Sequence, residues 1–192
     1  MEFNDRLSGG KAGQDILINF LESHFGYKFE AGERNNSVIN VELIEELEHC
    51  EFIPEKKFGL GKHGSRLRFT DGERTYDLTM PDVFMSRNSK SGFYWIEAKT
   101  HFDATETRLI IDQKNFDDYA LLYTKFTRQS FLVMCLHPDG ANYHDVYFCE
   151  FQELLDNVPR KDRLNGNTVY IWGMKSVMKK LNRYPIDINK YG

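Results

Sequence analysis

The stretch "MPDVFMSRNSKSGFYWIEAKTH", residues 80–101, places a carboxylate at Glu97 and an ammonium at Lys99 at the end of an apolar run. Phe93, Tyr94, Trp95 and Ile96 give the run strand character, because aromatic and β-branched side chains suit a pleated surface. Side chains on a strand alternate faces, so Glu97 and Lys99 project on one side, about 6–7 Å apart, and Ala98 on the other. If the segment carrying Asp82 lies alongside, Asp82, Glu97 and Lys99 converge at one sheet edge. Neighbouring carboxylates repel each other and favour a cation, and hard oxygen ligands suit Mg²⁺ or Mn²⁺. A lysine beside them can position or deprotonate a water. These are the parts for attack of water on a phosphodiester, in which a metal stabilises the developing charge. The same residues also have plainer uses. Asp82 after Pro81 suits a turn, and Glu97 with Lys99 suits an exposed ion pair worth roughly 0.2–1 kcal/mol.

Such a site needs a scaffold, and the chain has the means to build one. Its 192 residues are 41% hydrophobic and 28% charged, enough for a single domain, residues 1–192, with a substantial core. Helical spacing of Ile16, Leu17, Phe20, Leu21 and Phe25 predicts an N-terminal helix that stops at Gly26. Residues 36–54 read as a helix, or as a strand leading into one. "SRLRFTDGERTYDLTMPDVFMSR" alternates around a Thr-Asp-Gly turn and reads as a hairpin. The aromatic run into Glu97 is a strand. "TETRLIIDQKNFDDYALLYTKF" predicts a helix over 105–126, with Leu109, Ile110, Phe116, Tyr119 and Leu122 as its buried stripe. "SFLVMCLHP" is a continuous apolar run of the kind found in a covered central strand. "HDVYFCEFQELLDN" and "NTVYIWGMKSVMKKLN" each read as a strand passing into a helix. The order implies an α/β or α+β domain with a central mixed sheet flanked by helices.

Pro81-Asp82 followed by Glu97-Ala98-Lys99 resembles the PD-(D/E)XK nuclease superfamily, the fold of many restriction enzymes and junction resolvases. Gly13, Asp15 and Gly26-Tyr27 are similar to that family's opening helix, although an acidic residue there is more often Glu. Gln113 and Tyr119 fall where many members place a Gln and then an aromatic on the helix after the lysine strand. The likeness covers about residues 10–136, and residues 137–192 read as additional strands and helices of the same domain. It implies a restriction-endonuclease-like fold. It also implies a metal site of Asp82, Glu97, the Ala98 carbonyl and Asp15 holding Mg²⁺ or Mn²⁺, with Lys99 orienting the attacking water. Gln113 and Tyr119 would face the substrate. The implied activity is metal-dependent hydrolysis of phosphodiester bonds, above all in DNA. The alternative is an inactive nucleic-acid-binding or assembly module of the same fold. Asp15 is also an ordinary first-turn acid favoured by the helix dipole, and Tyr119 an ordinary core residue.

Other features weigh less. "GLGKHG" (residues 59–64) matches G-x-G-x-x-G but precedes a strand-like segment, whereas a dinucleotide loop must open a helix. As a glycine-rich basic loop, it offers Lys62, with Arg66 beyond it, for contact with a phosphate backbone. The net charge is −4, yet residues 159–192 hold eight Lys or Arg against two Asp, while residues 42–55 hold six Glu and no base. Acid-rich overall, the chain is not built to coat nucleic acid, but basic segments can grip phosphates locally. Cys50, Cys135 and Cys149 sit among apolar neighbours and read as reduced thiols. There is no G-x-S-x-G elbow to support hydrolysis through His63, His101 or His144. No leader or membrane segment is evident, which points to a cytoplasmic protein. A homodimer or a protein partner is left open.

Overall fold

The structure is a computed structural model and describes residues 13, 15–20, 28–30, 49–54, 65–86, 93–127, 130–139 and 143–185. The apolar run Phe131–Leu136 forms the middle of strand β8 (Ser130–Pro138). It lies parallel to β6 (Phe93–Thr100), with Glu97 beside Val133 and Lys99 beside Cys135. Parallel neighbours cannot be joined by a hairpin and need a crossover. Here the crossover carries a strand, β7 (Arg108–Asp112), and a helix, α2 (Gln113–Lys125). Because α2 returns the chain to the start of β8, its first residues lie toward the carboxyl end of β6.

The main sheet runs β1 (Lys28–Glu30), β5 (Val83–Ser86), β6, β8, β9 (Tyr143–Glu150) and β12 (Lys179–Pro185), with every pair but β6–β8 antiparallel. Period-two alternation divides its side chains between two cores. Ile96, Met134, Leu136 and Val146 pack on Ile16, Leu17 and Phe20 of the N-terminal helix α1, described at residues 13 and 15–20. Trp95, Phe131, Val133, Cys135 and Cys149 pack on Tyr119 and Leu122 of α2. Glu97 and Lys99 share the face of Trp95, so α2 covers the side on which the charged pair stands.

Two three-stranded sheets complete the second core. One is β2 (Cys50–Pro54), β3 (Ser65–Asp71) and β4 (Arg74–Thr79), and the other is β10 (Arg160–Leu164), β11 (Asn167–Gly173) and β7. Short helices α3 (Phe151–Asp156) and α4 (Met174–Val177) follow β9 and β11. The chain is therefore a mixed α+β protein, rich in strands.

Several local expectations need correction. The helix over 105–126 starts only at Gln113, and Leu109 and Ile110 lie on β7. The branched run Leu109–Ile111 pairs with the apolar Tyr170–Trp172 of β11, and Asp112 then caps α2 by accepting the Lys114 N–H at 2.9 Å. After β11 the helix lasts four residues and gives way to β12, which pairs with the free edge of β9. Cys50–Pro54 is a strand, and Arg160–Leu164, unassigned in the sequence, forms another. Gly26, Tyr27 and residues 55–64, including the glycine-rich loop, lie outside the described residues.

Candidate functional site

The β5–β6 ladder ends at the pair Val83↔Ile96. One step further along that register, Asp82 falls beside Glu97. Instead of continuing the ladder, the Asp82 side chain turns in, and its Oδ2 accepts the Ala98 N–H at 3.0 Å. A strand residue points its N–H and C=O to the same side, so the Ala98 carbonyl is also directed toward the Asp82 side. Pro81 before Asp82 is buried and has no N–H to extend the pairing.

Glu97 is only 3% exposed, a costly place for a carboxylate unless it is paired. Both oxygens are held. Lys99 Nζ donates to Oε1 at 2.5 Å, and Tyr119 Oη donates to Oε2 at 2.7 Å. The Lys99 side chain keeps a solvent-facing share, 28%. Burial opposes its ammonium form, but the Glu97 and Asp82 carboxylates outweigh that and raise its pKa above the ordinary lysine value. Those carboxylates therefore favour Lys99 as an ammonium, a hydrogen-bond donor to Glu97. The neighbouring Cys135 thiol is pushed up to about 12 by burial, against the pull of Lys99, and stays protonated.

The back of the site is fixed by close packing. A Cβ added to Gly13 would lie 1.9 Å from Thr100 Oγ1, so only glycine lets α1 sit this closely against the end of β6.

The sequence-predicted residues divide. Asp82, Glu97, Ala98 and Lys99 come together at the carboxyl end of β6. Tyr119, expected to face a substrate, joins them 2% exposed and grips Glu97 from within the core. Gln113 is the first residue of α2, partly buried. Asp15 lies on α1, partly buried, and no group of three or more His, Cys, Asp or Glu is arranged to hold a metal among the described residues. Arg66, expected to contact a phosphate backbone, is held by an acid: its guanidinium lies 2.5 Å from Asp77 Oδ1 and donates to the Asp77 carbonyl at 2.8 Å. Lys62 lies outside the described residues.

A polar neighbourhood, of which the sequence offered only His101, continues on the same face. His101 lies two residues beyond Lys99, and its ring meets that of His137 edge-on at 5.4 Å. Burial and then His137 lower the His101 pKa, so the imidazole is neutral at pH 7. His137 Nε2 lies 2.9 Å from the Glu106 carbonyl. Beyond it, His137, Asp145, Tyr147 and Lys175 line a cavity of about 200 Å³, and Lys180 Nζ pairs with Asp145 at 2.6 Å. Cross-strand register places His137 opposite Asp145, a link visible only once β8 and β9 are paired.

No family model, curated protein or solved structure matches the chain. Among the described residues no helix is long and apolar enough to cross a membrane.

Proposed function

We propose that the chain is a metal-dependent nuclease of the PD-(D/E)XK kind, with a restriction-endonuclease-like fold, hydrolysing phosphodiester bonds in DNA. One observation carries this reading: Asp82, Glu97 and Lys99 stand together where β6 ends, with Lys99 Nζ on Glu97 Oε1 at 2.5 Å and Asp82 Oδ2 on the Ala98 N–H at 3.0 Å. A purely structural ion pair needs neither the second carboxylate nor a burial as deep as that of Glu97.

The residues fit a divalent ion. The donor set is hard oxygen: the Asp82 and Glu97 carboxylates and the Ala98 carbonyl directed to their side. Each Glu97 oxygen takes one hydrogen bond, and a carboxylate oxygen has a second lone pair to offer. A bound Mg²⁺ or Mn²⁺ supplies Lewis-acid stabilisation of the charge that develops on the phosphate. Lys99, held as an ammonium, donates a hydrogen bond that orients a water or a phosphate oxygen. Tyr119 fixes the Glu97 carboxylate from behind, and the Ala98 N–H fixes that of Asp82.

The test is cleavage of duplex, single-stranded, supercoiled and four-way-junction DNA, and of RNA, with Mg²⁺, Mn²⁺ or EDTA. Asp82→Asn, at a partly exposed position, should fold as wild type and lose at least about 100-fold in rate. Lys99→Ala should lose comparably. Metal-independent cutting, or full activity in Asp82→Asn, overturns the assignment. Binding of nucleic acid without cutting under any metal selects the inactive module instead.

A further inference from the structure

Strand β10 is exposed along its whole length, on both faces, while Val169, Tyr170, Ile171 and Trp172 of its partner β11 are buried. The two are joined by a two-residue turn in which Asn165 and Gly166 take φ of 52° and 86°, the left-handed pair that a tight hairpin requires. A strand buried on both faces thus anchors a strand buried on neither, through a stiff turn. Burial does not explain why β10 is kept, so its side chains are the place to look for a use.

Three of the four charged residues in β10 are cationic: Arg160, Lys161 and Arg163, against Asp162. Arg160 pairs with Asp162 at 3.0 Å on one face. Lys161 and Arg163 share the other face, and neither has an ion-pair partner among the described residues. Lys161 Nζ rests 5.2 Å over the Tyr170 ring, which orders its stem and leaves its charge uncompensated. Charges on an edge strand also discourage edge-to-edge aggregation. Either sign serves that purpose, however, and this chain is acidic overall, with a net charge of −4.

The hairpin is also coupled to the candidate site. Tyr170 and Trp172 pack on Phe116 of α2 at 5.2 and 5.3 Å between ring centroids. Phe116 lies one helical turn before Tyr119, which holds Glu97. The side chains of Lys161 and Arg163 therefore stand on the α2 face of their sheet, and α2 carries the site on its other flank. Along β10 they are about 7 Å apart, roughly twice the axial rise between phosphates on one duplex strand. A two-stranded ribbon is also narrow enough to enter a major groove.

We propose that the β10–β11 hairpin, through Lys161 and Arg163, is a backbone contact for duplex nucleic acid. This rests on the nuclease reading for the substrate's chemistry but not on cleavage. The test is fluorescence anisotropy with a labelled DNA duplex of about 24 base pairs, in EDTA, between about 50 and 200 mM salt. Lys161→Ala/Arg163→Ala should bind about 10-fold or more weakly at 100 mM salt. The slope of log affinity against log salt should fall by about 1–2, because each phosphate contact contributes about 0.9. Arg74→Ala, an exposed cation on β4, is the control and should stay within about twofold of wild type. Both variants alter exposed side chains and leave the fold intact, which circular dichroism checks. Equal affinity and slope in the double variant, no binding by wild type, or binding of single strands alone would each overturn the inference. Hairpin-dependent binding with no cleavage under any metal would remove the nuclease reading and leave this one standing. Metal-dependent cleavage with hairpin-independent binding would do the reverse.

Discussion

Replacing Tyr119 by Phe removes one oxygen and leaves the ring where it is, packed edge-on against Phe131 at 5.2 Å and Phe151 at 6.5 Å. The change therefore isolates the hydrogen bond to Glu97. Tyr119 is 2% exposed and Glu97 3%, so water reaches the vacated position only by disturbing the core. A hydrogen bond to a charged group is worth about 1.5–3 kcal/mol when its partner is left buried without it. For a chain of this size, that lowers the melting temperature by roughly 3–12 °C. Urea unfolding of the metal-free protein should show the midpoint falling with an unchanged m value, since the surface exposed on unfolding is the same. Adding Glu97→Gln completes a double-mutant cycle, in which the Tyr119–Glu97 coupling should be about 1–2 kcal/mol. A Tyr119→Phe variant within about 0.5 kcal/mol of wild type, with no coupling to Glu97, would refute the claim that Tyr119 holds this carboxylate.

Three further outcomes are expected. Lys99→Met should destabilise the protein in EDTA by about 2–4 kcal/mol, because it strands a buried carboxylate, with some relief from the partial exposure of Lys99. The folded-state pKa of Lys99 is raised, so its contribution is fully present below about pH 10.4 and lost as pH climbs through the higher folded value. The gap between wild type and Lys99→Met, measured by urea unfolding across pH, should close only in that alkaline range. Glu106 is held down to about 2, chiefly by hydrogen bonds from the Arg108 side chain, so its contribution is present above about pH 4.5 and lost as pH falls toward 2. Arg108 is half exposed, which limits the effect to about 1 kcal/mol, and Glu106→Gln should differ from wild type only above that acid window. Cys135 and Cys149, with thiols pushed up to about 12 by burial, should resist iodoacetamide in the native state and react on unfolding. Fast native alkylation of either would contradict their burial.

The charged pair was legible in the sequence because an i, i+2 spacing on a strand places two side chains on one face whatever the strand's neighbours. The approach of Asp82 needed only a β5–β6 hairpin. The grip of Tyr119 on Glu97 was not legible, because a helical stripe marks a residue as buried without naming the carboxylate it meets on a distant strand. The apolar pattern of Leu109, Ile110, Phe116 and Tyr119 fits one helical stripe as well as it fits a short strand followed by a helix. The strand won because β11 offers Leu109–Ile111 an apolar partner far along the chain, which no local pattern records. Arg66 is a different case, since the signal was present and unread. Once the Asp71↔Arg74 turn sets the register of β3 and β4, Arg68 faces Asp77 and Arg66 sits diagonal to it, so the carboxylate claims both arginines before any phosphate can. His137 and Asp145 met only through the β8–β9 register, and neither belongs to a spacing that a sequence scan would flag.

What holds the end of β6 in place is as much the back of the strand as the front. Glu97 and Lys99 face α2, while Ala98 and Thr100 face α1, and the Gly13 Cα stands where a methyl would strike Thr100 Oγ1 at 1.9 Å and Thr100 Cβ and Cγ2 at 2.9 Å. Two opposed effects decide Gly13→Ala. Helix propensity favours alanine by about 0.5–1 kcal/mol. Overpacking a core contact costs about 1–3 kcal/mol, and a contact of this depth on a stiff β-branched side chain belongs at the upper end. The variant should therefore be destabilised by about 2 kcal/mol in urea unfolding. Thr100→Ala in the same chain removes Oγ1 and Cγ2 but leaves Cβ, so it should restore part of the loss, and Thr100→Gly should relieve the clash entirely. If the site needs α1 seated on β6, cleavage should fall in Gly13→Ala and recover in the same order as stability. A Gly13→Ala protein as stable as wild type would show that α1 does not press on Thr100, and the rear support of Glu97 and Lys99 would have to be sought elsewhere.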